Sequence, residues 1–250
     1  MPNPNDHTLA AELAERAGRL LLELRERLTA ERAAPGELKD AGDRASHEFL
    51  VTELASRRPD DAVLSEEARE DERADTARLD AARVWIIDPL DGTREYGEGR
   101  ADWAVHVALV EHTTPTAGAV ALPGLGLVFG TGEPPTVPPA PERLRVIVSR
   151  SRPPAEAIAI AEALDAELVE MGSAGAKAMA ILRGEADVYP HSGGQYEWDS
   201  AAPVAVATAA GLSCTRLDGS PLVYNRADPY LPDLLICRPA DAARVRSVLN

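Results

Sequence analysis

The chain has 250 residues, with 26 Lys and Arg against 41 Asp and Glu, for a formal charge of −15. That surplus excludes a basic groove for polymeric nucleic acid, which is held by an excess of Lys and Arg, and it opposes adsorption to an anionic membrane. A small phosphorylated ligand stays admissible, provided that metal ions or backbone donors reverse the sign locally. With 45% hydrophobic residues the chain can bury a core as one large domain or two intimate halves. No apolar run is long enough for a transmembrane helix. The opening MPNPNDHTLA lacks a basic-then-apolar leader, and Cys214 and Cys237 form no metal-type pair, so a cytoplasmic, disulfide-free protein is expected.

Leu9, Leu13, Leu20, Leu24 and Leu28 recur near helical spacing and predict an amphipathic helix over 8–28, with Thr8 capping its start. A second helix is expected from Ala45 to about Ser56, stopping before Pro59. Strands are expected at 62–64, 83–88, 103–110 and 116–122, the last two as a hairpin. Residues 131–142, TGEPPTVPPAPE, hold five prolines and almost no bulky apolar side chain. They read as the connection between an α+β half (1–135) and an α/β half (143–250). Beyond it the pattern predicts a strand at 144–149, a helix at 153–164 and a short strand at 167–170. A helix at 173–183 closed by Gly184, a strand at 186–189 and a helix at 199–210 followed by Gly211 complete the series. Cys214 and Cys237 are expected to be inert core residues on strands.

Chemistry concentrates at Val84-Trp85-Ile86-Ile87-Asp88-Pro89-Leu90-Asp91-Gly92-Thr93. An apolar strand runs into two carboxylates three residues apart, and the intervening proline is expected to end the ladder. A fixed turn there can aim both carboxylates and the Leu90 carbonyl into one small space, the all-oxygen donor set that a hard cation such as Mg²⁺ wants. Gly92 allows close approach of the backbone, Thr93 brings a hydroxyl and a helix-capping oxygen, and a helix starting here would favour an anion. The bland alternative is an Asx-type turn that satisfies only local amides. Glu66, in Val63-Leu64-Ser65-Glu66-Glu67, also follows an apolar strand directly, although adjacent glutamates are usually solvated and the run through Glu72 reads as such a surface. Asp199, in Trp198-Asp199-Ser200, is placed as a helix N-cap with Pro203 in the first turn, and Asp43 precedes the second helix, where capping is its ordinary task. Four carboxylates so placed can hold two or three divalent ions, and two ions ~3.5–4 Å apart would clamp the oxygens of a phosphoryl transfer. His106, on a strand, reads as structural.

In chain order these elements are Gly42-Asp43, Ser65-Glu66-Glu67, DPLDGT, Gly172-Ser173 and Trp198-Asp199. The set resembles the lithium-sensitive inositol monophosphatase superfamily of Mg²⁺-dependent phosphatases. Thr93-Arg94-Glu95-Tyr96, Val148-Ser149-Arg150-Ser151 and Lys177 are most similar to its CysQ branch, the 3′(2′),5′-bisphosphate nucleotidases, and Gly193–Trp198 looks like actinobacterial members. The resemblance implies a layered αβαβα fold of the inositol monophosphatase and fructose bisphosphatase type. It implies metal ligation by Glu66, Asp88, the Leu90 carbonyl, Asp91 and Asp199, with Asp43 holding a third ion through water or orienting Thr93. Glu66 and Thr93 would position the attacking water, with no covalent phosphoenzyme. Gly92, Thr93, Ser149, Arg150, Ser173, Lys177, His191 and Asp199 would face the substrate. His191 stands where relatives often carry Arg, which weakens the implied grip on a second phosphate. The implied reaction removes the 3′-phosphate of 3′-phosphoadenosine 5′-phosphate to give AMP. Inositol phosphates or fructose 1,6-bisphosphate are the alternative substrates of the same cradle, and a non-catalytic metal-binding acidic protein is a remote one. Dimers occur in this family, so a homodimer is admitted, though no interface stripe stands out.

Overall fold

The computed structural model describes residues 4–69 and 76–249. Two helices open the chain, α1 (Pro4–Ala30) and α2 (Pro35–Arg57), followed by β1 (Ala62–Ser65) and β2 (Arg83–Asp91). A short helix α3 (Thr93–Gly97) leads to β3 (Ala104–Glu111), β4 (Thr114–Leu122) and β5 (Leu127–Gly130). After residues 131–144, which hold no helix or strand, come β6 (Arg145–Ser149), α4 (Ala155–Ala163), β7 (Glu167–Met171) and α5 (Ala174–Leu182). The chain finishes with β8 (Val188–Tyr196), α6 (Glu197–Ala209), β9 (Ser213–Thr215), β10 (Tyr230–Cys237) and α7 (Pro239–Leu249).

The strands form two five-stranded sheets, ordered β1-β2-β3-β4-β5 and β7-β6-β8-β10-β9. Alternation along the strands separates the layers. On β3, Val105, Val107 and Leu109 pack with α1 and α2, whereas Ala104, Ala108 and Val110 pack with α5 and α6. The far face of the second sheet packs Val146 and Val188 against Ile160 of α4 and Val245 of α7. The result is the expected αβαβα sandwich, with α5 and α6 buried between the sheets.

The second helix begins ten residues earlier than its apolar pattern suggested, so Asp43 lies inside α2 rather than before it. Pro35 occupies the first turn and the Glu37 carboxylate accepts the Ala34 N–H at 2.9 Å, a start signal independent of apolar residues. The buried positions are Leu38, Gly42, Ser46, Leu50 and Leu54, spaced four apart, but two of the five are too small to show in a hydropathy pattern. Gly42 is small for a reason: a Cβ there would lie 3.0 Å from both the Leu90 and the Tyr96 side chains. Likewise α1 starts at Pro4, not Thr8, and Ala10, Ala14 and Ala17 share its core face with Leu9, Leu13 and Leu21. The edge strand β5 and the length of β8 were not anticipated. Cys214 and Cys237 lie on β9 and β10 as free thiols, and burial raises their pKa values to about 11 and about 12.

Candidate metal and phosphate site

Pro89 does not end the ladder. Asp88 pairs with His106 and Asp91 with Ala104 across β3, so three steps along β2 match two along its partner. That one-residue bulge is what makes the site. In a regular strand, residues three apart face opposite sides; the extra residue brings Asp88 and Asp91 to the same side. Ser46 fixes the bulge from α2 by donating to the Pro89 carbonyl at 2.7 Å, and the Leu90 N–H donates to Asp88 at 3.1 Å. Gly92 then takes φ 88°, and a Cβ there would lie 3.0 Å from the Ser173 Cβ. Thr93 is the first residue of α3 and caps nothing: its hydroxyl turns back to the Leu90 carbonyl at 3.2 Å.

The carboxylate oxygens of Asp88, Asp91 and Asp199 lie within 4.8 Å of one another. Asp199 comes from the second half, on α6. It is the third residue of that helix rather than its N-cap, and it accepts the Tyr196 N–H at 2.6 Å, which places Pro203 inside the helix. Glu66, at the end of β1, shares a hydrogen bond with Asp88. Asp43 is half-buried on α2, and its charged neighbours are Glu67, Asp40 and Lys39. Glu67 is exposed; Glu70, Asp71 and Glu72 of the acidic run lie outside the described residues.

Two kinds of carboxylate meet here. Asp91 is ringed by donors: the Ser173 hydroxyl at 2.5 Å, the N–H groups of Ala174 and Gly175 at 3.0 and 2.6 Å, and His106 Nε2 at 3.2 Å. Burial would raise its pKa, but the His106 contact, the nearby Lys177 charge and the Ser173 hydrogen bond hold it below the usual carboxylate range. The N-terminus of α5 adds its positive end. Asp88 and Asp199 have less help, one backbone N–H each, from Leu90 and Tyr196. Among the described residues no Arg or Lys forms an ion pair with either. Burial, joined by the charges of Glu66, Asp91 and Asp199, raises Asp88 well above its ordinary value. Burial and Asp91 push Asp199 up to about 6, and burial and Asp199 push Glu66 up to about 8. Buried carboxylates crowded without a cation are costly. An oxygen-only donor set of this kind fits a hard divalent cation, which would supply the missing charge.

The other expected residues fall around this cluster. Ser173 caps α5 with φ 44°, its hydroxyl accepting from the Ala176 N–H at 3.0 Å. Lys177 is buried and donates to the carbonyls of Gly172 and Ser173 at 3.2 and 2.6 Å, fixing that turn. Ser149 and Arg150 stand at the end of β6, where Arg150 donates to both Glu95 and Glu98 at 2.9 Å. His191 bonds within its own strand turn, with Nε2 3.0 Å from the Gly194 carbonyl, and burial lowers its pKa. His106 is buried and structural, but what it holds is the site: Nδ1 lies 3.0 Å from the Trp198 carbonyl, and Nε2 faces Asp91. A Cβ on Gly175 would collide with that ring. Only the β2–β3 register, which sets His106 opposite Asp88, reveals this. Arg94, Glu95 and Arg152 line a cavity beside Ser173; the first two belong to the Thr93–Tyr96 motif but were given no role, and Arg152 carried no signal beyond following Val148–Ser151.

A layered αβαβα sandwich with an acidic, oxygen-only cradle where β2 meets α6 suits metal-dependent phosphoryl chemistry. The chain matches the inositol monophosphatase family model over residues 5–243, and it belongs to that family. It is 50% identical to a Mycobacterium leprae protein named 3′-phosphoadenosine 5′-phosphate phosphatase, over 96% of this chain and 91% of that one. It is 33% identical to the 3′(2′),5′-bisphosphate nucleotidase CysQ of Escherichia coli K12, over 76% and 81%. Among solved structures, CysQ from Bacteroides thetaiotaomicron superposes with a TM-score of 0.77 at 27% identity, covering 94% of this chain and 97% of that one.

Proposed function

We propose that this protein is a Mg²⁺-dependent phosphomonoesterase that hydrolyses 3′-phosphoadenosine 5′-phosphate to AMP and inorganic phosphate. The Asp88, Asp91 and Asp199 cluster carries the reaction class; the substrate is supported by the likeness to the M. leprae phosphatase across nearly the whole chain.

In this reading Glu66, Asp88, the Leu90 carbonyl, Asp91 and Asp199 hold two or three Mg²⁺ ions. The ions would polarise the phosphoryl group and make a water nucleophilic at neutral pH. Residues 1–135 supply all of these ligands except Asp199, and residues 143–250 supply Asp199 and most substrate-facing groups. Glu66 and Thr93 would orient the attacking water, and Asp43 would hold a third ion through water or orient Thr93. Gly92, Ser173 and the turn fixed by Lys177 keep the backbone close to the phosphoryl group. The P–O3′ bond breaks, water supplies the new P–O bond, and the ribose oxygen leaves with a proton. We also read the enzyme as cytoplasmic. A homodimer belongs to the same reading: β5 is an edge strand with Leu127 and Val128 exposed, and sedimentation velocity tests whether a second copy covers them. No helix among the described residues is long and apolar enough to cross a membrane.

A phosphate-release panel in Mg²⁺ tests the function. It compares 3′-phosphoadenosine 5′-phosphate, inositol 1-phosphate and fructose 1,6-bisphosphate by kcat/KM. The first should be strongly preferred, and a preference for either of the others refutes the proposal.

A further inference from the structure

The substrate of the proposed reaction carries two phosphates, and the metal cluster accounts for one. Three basic side chains near the cluster were candidates for the other, and the structure commits all three elsewhere. Lys177 spends its ammonium on the Gly172 and Ser173 carbonyls. His191 is bonded to the Gly194 carbonyl. Arg150 is shared between Glu95 and Glu98.

A cavity of about 580 Å³ opens beside the cluster, between the start of α3 and the end of β6. It includes Ser173, whose hydroxyl touches Asp91, and is lined further by Gly172, Ser149, Ser151, Arg94 and Arg152, and by Glu95, whose charge Arg150 offsets at 2.9 Å. Its size falls within the roughly 300–1,000 Å³ of small-molecule sites. Arg94 has an exposed guanidinium whose ion pair, with Glu98, is long at 3.6 Å and solvated, so it contributes little. Arg152 has no ion pair or hydrogen bond among the described residues. What sets these two guanidinium groups apart is their place, on one cavity that opens beside the carboxylate cluster. Two in one cavity, with serine hydroxyls between them, form a donor set for a phosphate.

We propose that Arg94 and Arg152 form a second anion subsite that binds the non-reacting phosphate, and so set a preference for bisphosphorylated over monophosphorylated nucleotides. The inference rests on the phosphomonoesterase reading above. It moves the specificity determinant from His191 on β8 to the start of α3 and the segment after β6.

The experiment compares 3′-phosphoadenosine 5′-phosphate with 3′-AMP, which lacks the second phosphate, for wild type, Arg94→Gln, Arg152→Gln and the double variant. Wild type should favour the bisphosphate. Each substitution should raise KM for it roughly tenfold, the scale of one charge-assisted contact, while kcat and the 3′-AMP parameters stay near wild type. An unchanged preference in the double variant overturns the inference, as does an equal loss on both substrates. Calorimetric titration of AMP and of adenosine gives an arm that needs no turnover. The double variant should weaken AMP by tenfold or more and leave adenosine unchanged, and equal AMP affinity overturns the subsite. A wild type that binds AMP through these arginines yet hydrolyses neither nucleotide refutes the functional reading alone.

Discussion

Asp187, between α5 and β8, and Asp88, at the end of β2, are both essentially inaccessible to solvent, at 0% and 1% exposure, yet their surroundings are opposite. Asp187 accepts from the Arg145 backbone N–H at 3.0 Å and side-chain Nε at 2.9 Å, and from Arg238 at 2.8 Å. Against burial, these two guanidinium groups hold its pKa below the ordinary value. Asp6 is treated the same way, paired with Arg58 at 2.7 Å and Arg83 at 3.1 Å. Asp88 has Glu66, Asp91 and Asp199 for neighbours, and its pKa goes up. At Asp187 and Asp6 this fold fastens a buried carboxylate with arginine. Where β2 meets α6 it supplies more carboxylate. The charge missing from the second region is the one a divalent cation brings.

Substitutions that reverse one region and not the other sharpen that contrast. The largest effect is expected from Asp88→Asn, which should abolish phosphate release. The loss should exceed the roughly 10–100-fold typical of residues that only support metal ligands. Full activity in that variant would remove Asp88 from the metal set. Next comes Asp187→Asn, which strands two guanidinium groups. It should cost about 3 kcal/mol, at the low end for a broken buried pair because Arg145 is partly solvated, and lower Tm by roughly 6–12 °C. Its kcat per folded molecule should stay near wild type. A variant that keeps its Tm would show that the arginines do not depend on Asp187.

A smaller effect should appear in the pH dependence of the metal-stripped protein. Glu66 and Asp199 have pKa values raised to about 8 and about 6, so in the fold they keep protons that the unfolded chain has already released. Stability is therefore fullest below the ordinary carboxylate values and drains away as pH climbs through the raised ones. Tm in chelator should fall between about pH 5 and pH 8, and saturating Mg²⁺ should flatten that slope. A chelated protein whose Tm rises across that window contradicts the burial of uncompensated charge.

Much of this was legible in the sequence, for identifiable reasons. DPLDGT is visible because a proline between two aspartates after an apolar strand has few structural meanings, and Gly92 needs its positive φ. The layered fold was legible through the family likeness rather than through local patterning. What stayed hidden depends on packing against something remote in sequence. Gly42 and Ser46 are small because β2 and α3 press on α2, so its first half shows no apolar period. The bulge at Pro89 and Leu90 exists only relative to β3, and with it the reason that Asp88 and Asp91 face the same way. His106 and Asp91 stand 3.2 Å apart because of that register. Arg150 looked like a free cation until α3 brought Glu95 and Glu98 to it.

The most direct test measures Tm for metal-stripped wild type and Asp88→Asn at about pH 8, where Glu66 is half-ionised, with and without saturating Mg²⁺. Asparagine at 88 carries neither a buried charge nor a proton that must be taken up on folding, so stripped Asp88→Asn should be more stable than stripped wild type. Mg²⁺ should raise wild-type Tm by several degrees and leave the variant nearly unmoved, since roughly 2.7 kcal/mol of linkage at a hundredfold excess over Kd needs an intact site. A wild-type Tm indifferent to Mg²⁺, or a stripped variant less stable than its parent, would contradict the claim that these carboxylates are kept uncompensated for a metal.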